Sequence, residues 1–168
     1  MRPSWVEVDL AAITANVRAI GAAVAPSIVC AVVKADGYGH GDVPVAEAAL
    51  AGGAEWLAVA LVEEGRRLRD AGIEAPILLL SEPEIADAAA VVDWRLRPTV
   101  YREAFAGALS DAAHTAGAAP YPVHVKVNTG MHRVGADPLD AFPLVRRLVA
   151  DPRLELEGLW THLAVAEE

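Results

Sequence analysis

The chain has 168 residues, 54% of them hydrophobic and 22% charged, enough apolar material for one sizeable core and a composition that excludes disorder. Its formal net charge is -9, from 14 Lys and Arg against 23 Asp and Glu. With no basic cluster longer than Arg66-Arg67-x-Arg69, that charge argues against binding to nucleic acid or to anionic lipid.

The N-terminal stretch from Met1 to Glu7 lacks a leader pattern, and no apolar run approaches the roughly 18 residues of a membrane span. Ser4 to Val8 is compatible with a short strand, and Leu10 to Val24 reads as a helix. Short apolar runs then alternate with helical patterns. The strands expected are Ile28 to Val33, Trp56 to Ala60, Ile77 to Leu80, Leu96 to Val100, Val123 to Val127 and Leu154 to Trp160. The helices expected between them are Val43 to Ala51, Val62 to Ala71, Glu84 to Val91, Tyr101 to Ala116 and Leu139 to Val149. Gly52-Gly53, Gly72 and Gly117 stand where C-terminal caps belong, while Asp137-Pro138 and Ser81-Glu82-Pro83 read as helix starts.

Strands that alternate with helices predict an all-parallel α/β sheet, either doubly wound or a (β/α) barrel. No linker or repeat divides residues 1–168, so one domain is expected. A complete eight-stranded barrel takes about 250 residues, so a barrel here would be incomplete, with about six βα units. The single cysteine, Cys30, lies inside the first apolar run and reads as a small buried hydrophobe of a cytoplasmic protein.

Active sites of parallel α/β proteins gather at the C-terminal ends of the strands. Three polar clusters fall there: Lys34-Ala-Asp-Gly-Tyr-Gly-His-Gly41, Lys126-Val-Asn-Thr-Gly-Met-His-Arg-Val-Gly135 and Trp160-Thr-His162. Twelve of the 14 basic residues are Arg and only Lys34 and Lys126 are Lys, so each lysine calls for a local reason. A lysine that closes a buried strand is pushed toward the neutral amine, the form that attacks a carbonyl; the alternative is a side chain that snorkels to solvent. Gly37-x-Gly39-x-Gly41 matches neither the dinucleotide fingerprint nor the P-loop, and Tyr38 and His40 read as polar handles at a site mouth. Alternation along Val123 to Val127 puts His124 and Lys126 on one strand face, the barrel interior if the sheet is a barrel. Lys126 and Arg133, two cations flanking a turn, suit an anionic ligand or a bridging acid. His162 fits either a proton-transfer role or an ordinary core donor. The five histidines show no metal-ligand spacing, and no Gly-x-Ser-x-Gly elbow is present.

The sequence resembles the alanine racemases, over Arg2 to Leu10, Val33 to Gly41, Lys126 to Gly135 and Leu159 to Glu167, in family order and along nearly the whole chain. Lys-Ala-Asp-Gly-Tyr-Gly-His-Gly is the most specific of these stretches. The resemblance implies an N-terminal (β/α)8 barrel portion of an isomerase that interconverts L- and D-alanine for cell-wall synthesis. It implies pyridoxal 5'-phosphate held on Lys34 as a Schiff base, with Lys34 also the base on the D-alanine side. Tyr38 would bind the cofactor phosphate. Arg133 would contact the cofactor phenolic oxygen and the substrate carboxylate, and Lys126 would carry a carbamate that orients Arg133. His162, counted with the cofactor-binding residues, would tune a catalytic tyrosine.

The family's second base, a tyrosine of the C-terminal β domain supplied across a homodimer interface, has no counterpart in these residues, so this segment alone is expected to be nearly inactive. Asn128 stands where the family usually has Asp, and His132 where it has Gly. Two other readings use the same residues: a non-catalytic pyridoxal-phosphate binding protein, and a truncated barrel that pairs through its open sheet edges.

Overall fold

The computed structural model describes residues 3–166; Arg2 and Glu167, at the outer ends of two of the matching stretches, lie outside them. In chain order the elements are α1 (Leu10–Val24), β1 (Cys30–Val32), α2 (Lys34–Gly39), α3 (Asp42–Ala51), β2 (Trp56–Val59), α4 (Val62–Asp70), β3 (Ile77–Leu79), a 3-10 turn (Ile85–Asp87) leading into α5 (Ala88–Asp93), β4 (Thr99–Val100), α6 (Glu103–Thr115), β5 (Tyr121–Val127), α7 (Pro138–Ala150) and β6 (Leu154–Thr161).

Every strand pairing is parallel, in two three-stranded sheets ordered β1-β2-β3 and β4-β5-β6. The sheets are continuous through Arg97, which donates its N–H to the Ile77 carbonyl and accepts from Leu79 N–H, both at 2.8 Å. The order therefore runs one to six without reversal. A doubly wound sheet reverses at its switch point, whereas a (β/α) barrel does not. The architecture is thus a partial barrel, with β1 and β6 as its edges among the described residues.

The core lies between the strands and the helices that wrap them. Val123 and Val125 of β5 point outward and are fully buried, together with Leu57, Ile77, Leu79, Val100, Phe105 and Leu109. Helix α4 comes close because Gly65 faces Leu96: a Cβ at residue 65 would stand 2.7 Å from a Leu96 methyl. Gly52 does the same for α1 and α3, where a Cβ would meet the Thr14 carbonyl oxygen at 2.7 Å. Asp9 caps α1 by accepting from Ala12 N–H at 3.0 Å, and Asp137 caps α7 by accepting from Leu139 N–H at 3.0 Å ahead of Pro138.

Tyr121 is a buried core aromatic with a polar end to satisfy, and its hydroxyl lies 2.8 and 2.7 Å from the carbonyl oxygens of Val91 and Leu96. Burial pushes the phenol well above its ordinary range. Tyr121→Phe removes the hydroxyl that these carbonyls share and is expected to lower stability by about 1–2 kcal/mol, read as the shift in urea unfolding midpoint.

Four expectations are corrected. Ser4 to Val8 forms no strand. Ser81-Glu82-Pro83 does not cap the following helix. Instead the buried Glu82 carboxylate crosses to the next βα turn and accepts from Tyr101 N–H, Arg102 N–H and the Arg102 guanidinium; the helical segment starts later, after Glu84. Cys30 is exposed rather than buried, because β1 is an edge strand whose inward face meets only the open side of the barrel. The polar segment after β1, read as a glycine-rich turn, is a helical turn of the left hand.

Candidate active site

That turn carries the first lysine. Val33, fully buried, follows β1, and Lys34 opens α2, in which Ala35, Asp36, Gly37 and Tyr38 all have φ between 51° and 59°. Side chains with a Cβ adopt this region at a cost of roughly 1–2 kcal/mol per residue. A run of four left-handed residues, three of them with a Cβ, must be held from outside. Gly37 N–H bonds the Val33 carbonyl at 3.0 Å, Gly41 N–H bonds Asp36 O at 2.9 Å and the Asp36 carboxylate accepts from Asp42 N–H at 3.1 Å. Glu64, on the first turn of α4, accepts from Ala35 N–H at 2.7 Å. The Lys34 ammonium then lies 5.9 Å from the centroid of the Tyr38 ring, which is 60% exposed.

Lys126 comes from the interior face of β5. It is only 4% exposed, donates to the Leu80 carbonyl at 3.1 Å and lies 4.2 Å from the centroid of the Trp160 ring. Trp160 is fixed by donation from Nε1 to Thr99 Oγ1 at 3.2 Å. No carboxylate pairs with Lys126 among the described residues. Burial, and then the positive charges of Arg133 and Lys34, hold its pKa below the ordinary lysine value. At neutral pH the folded chain therefore bears the cost of this charge. The cost fades as pH rises through the depressed pKa toward the ordinary one, where the unfolded chain still binds the proton. Lys126→Met is expected to raise stability on the order of 1 kcal/mol at pH 7, with a smaller gain at pH 10. Urea midpoints at the two pH values measure both.

Arg133 follows a loop built on Asn128, whose carboxamide oxygen accepts from Gly130 N–H at 3.3 Å and His132 N–H at 2.9 Å, while its amide donates to His132 Nδ1 at 3.1 Å. Asn128 and His132, the two expected departures from the family pattern, are therefore bonded to each other, and His132 has a positive φ, 54°. Gly135 lets the loop return against β5: a Cβ there would be 2.9 Å from Asn128 N, and Ala136 brackets the strand end with 2.8 Å bonds to Lys126 O and Asn128 N.

Lys34, Tyr38, Lys126, Arg133 and His162 all line one cavity of about 260 Å³, together with Ser81, Trp160 and the apolar Val32, Ala60, Leu80 and Val134. It sits at the C-terminal ends of the parallel strands. The five residues singled out from sequence are brought together. His40 is not: it turns its Nδ1 to the Gly37 carbonyl at 3.0 Å and closes the α2 turn. His124 shares the inner face with Lys126 as expected but lies deeper, with Nε2 2.9 Å from the Glu157 carboxylate, which also meets Arg97 at 2.9 Å. The basic cluster on α4 is paired, Arg66 with Glu63 and Asp70 of the same helix and Arg67 with Asp42 of α3, while Arg69 donates to backbone carbonyls. Among the described residues no metal-binding group of His, Cys, Asp or Glu forms, and no helix is long and apolar enough to cross a membrane.

Glu64 escaped the sequence reading, which took Glu82 only as part of a helix start. Glu64 carried a signal, an acid three residues into a helix that follows a strand, where its side chain can reach back to free N–H groups.

A family model described as the alanine racemase N-terminal domain matches residues 8–168. The chain belongs to that family. An alanine racemase of Symbiobacterium thermophilum is 46% identical over 168 residues, which is all of this chain and 44% of that protein. The crystal structure of alanine racemase from E. faecalis superimposes with a TM-score of 0.86 at 36% identity, covering 96% of this chain and 44% of the other. That from Streptomyces lavendulae does so with 0.87 at 35%, covering 96% and 43%. The chain thus spans less than half the length of the relatives it matches.

Proposed function

We propose that this protein is a pyridoxal-phosphate-dependent alanine racemase and that residues 1–168 supply the Lys34 side of its active site in an N-terminal barrel portion. The observation that carries the reading is the convergence of Lys34, Tyr38, Lys126, Arg133 and His162 on one cavity in a chain of this family. The donor set fits the cofactor. Two amines, a guanidinium, a phenol and an imidazole line the cavity and, among the described residues, no carboxylate does, which suits an aldehyde with a phosphate and a phenolate.

When bound, pyridoxal phosphate supplies an electron-withdrawing ring that stabilises negative charge at the substrate Cα. Lys34 would hold the cofactor through its amine and, when that amine is free, would take or return the Cα proton on one face. Tyr38 would offer its hydroxyl to the phosphate. Arg133 would supply positive charge to the phenolic oxygen and a planar fork to the alanine carboxylate. Lys126, kept toward the neutral amine, is suited to attack carbon dioxide: a C–N bond forms, a proton leaves, and the resulting carbamate is an anion for Arg133 to pair with. His162 orients a partner hydroxyl at the mouth. The second base, a homodimeric arrangement that shares the site, and a cytoplasmic location complete the reading.

The test is deuterium uptake at Cα of L- and D-alanine in heavy water, with the protein as the cell makes it. The racemase reading expects cofactor-dependent uptake from both enantiomers. Retention of cofactor on Lys34 with no uptake would instead identify a non-catalytic pyridoxal-phosphate binding protein.

A further inference from the structure

The turn that carries Lys34 is tied to the neighbouring βα unit through one side chain. Glu64 is 7% exposed and enters no ion pair among the described residues. Its carboxylate spends both oxygens on backbone: Oε1 accepts from Ala35 N–H at 2.7 Å, and Oε2 accepts from Ala60 N–H at 2.8 Å and Leu61 N–H at 3.0 Å. Ala60 and Leu61 link β2 to α4; Ala35 is the residue next to Lys34 and the first of the left-handed run, with φ and ψ both 51°. Ala60 also lines the cavity beside Lys34.

We propose that Glu64 is a positioning residue for Lys34: its carboxylate bridges the β1 and β2 turns and fixes the left-handed backbone from which the lysine reaches the cofactor. The proposal rests on the reading of Lys34 as the cofactor lysine. A carboxylate is needed because three N–H donors converge on it and both of its oxygens only accept. Glutamine has the same shape but one oxygen. Whichever way its amide turns, an NH2 group faces either Ala35 N–H or the Ala60 and Leu61 pair, which removes a bond and opposes donor to donor. Aspartate keeps the charge but is one methylene shorter, so it can serve its own helix start and not Ala35.

The test compares wild type, Glu64→Gln, Glu64→Asp and Lys34→Ala in two ways: amide hydrogen exchange followed by NMR without cofactor, and titration with pyridoxal phosphate followed by its visible absorption and borohydride trapping. In wild type the Ala35, Ala60 and Leu61 amides are expected to be protected. Glu64→Gln is expected to expose at least one side of the bridge, to raise the pyridoxal phosphate concentration for half-saturation at least about tenfold, and to shift the pH midpoint of the absorption band. Glu64→Asp is expected to melt near wild type with Ala35 alone deprotected and the same weakened titration, which separates positioning from stability. Wild-type exchange at Ala35 as fast as in an unstructured chain overturns the proposal, and so does Glu64→Gln or Glu64→Asp saturating like wild type. The function reading fails separately: if Lys34→Ala still forms the borohydride-trapped adduct, Lys34 is not the cofactor lysine, whatever the amides show.

Discussion

Lys34→Ala is expected to abolish the visible absorption of lysine-bound pyridoxal phosphate and to lower alanine Cα exchange by about 10⁴-fold, the upper range for removal of one acid-base group. Two losses combine in this variant. The amine that anchors the aldehyde carbon is gone, and so is the proton acceptor on that face. Lys126 cannot substitute, because its amine is drawn to the Leu80 carbonyl and the Trp160 ring on a different strand. Fold is expected to survive, since the turn is closed by backbone bonds and by Glu64 and Asp36 rather than by the lysine side chain. Absorbance spectra and deuterium uptake read the two losses, and unchanged circular dichroism separates them from unfolding.

Phe105→Ala is expected to carry the largest stability loss, about 3–5 kcal/mol, because removal of a buried aromatic costs its transfer energy and leaves a cavity. Phe105 on α6 heads the fully buried side chains of the core. A domain is stable by only about 5–15 kcal/mol, so this change alone threatens the fold, although it lies outside the candidate site. The urea midpoint at 25 °C measures it; a shift equivalent to under 1 kcal/mol would mean that the strands and outer helices are far less tightly packed than described.

Much of this structure was legible in the sequence. The alternation of Val123, Val125 and Val127 with His124 and Lys126 placed a lysine on the inner face, and there it stands. Asp9, although not singled out, and Asp137, which was, show why helix starts could be read: a short side chain bonds N–H groups two or three residues ahead, a purely local event. What periodicity could not give was the choice between barrel and doubly wound sheet, since both bury the same strands. Strand order decided it, and strand order is a long-range property.

The misses share that character. Glu82 looked like part of a helix start, but its carboxylate crosses to Tyr101 and Arg102, about twenty residues away. Cys30 looked buried because its neighbours are apolar, yet its exposure is set by what stands beside an edge strand. The left-handed α2 was hinted at only by its glycines. Ala35, Asp36 and Tyr38 have no intrinsic preference for that conformation, and it is imposed by Asp42 and Glu64 from other elements. The candidate site was the most legible part, because its residues came as three compact clusters at strand ends and needed only the barrel to bring them together.

The scarcity of lysine makes the point of cofactor attachment directly measurable. With only Lys34 and Lys126 in the chain, incubation with pyridoxal phosphate, reduction by borohydride, and peptide mapping by mass spectrometry distinguish the two side chains without ambiguity. A single reduced lysine adduct, on Lys34, is expected, with Lys126 unlabelled. An adduct on Lys126, or none on Lys34 at saturating cofactor, would contradict it.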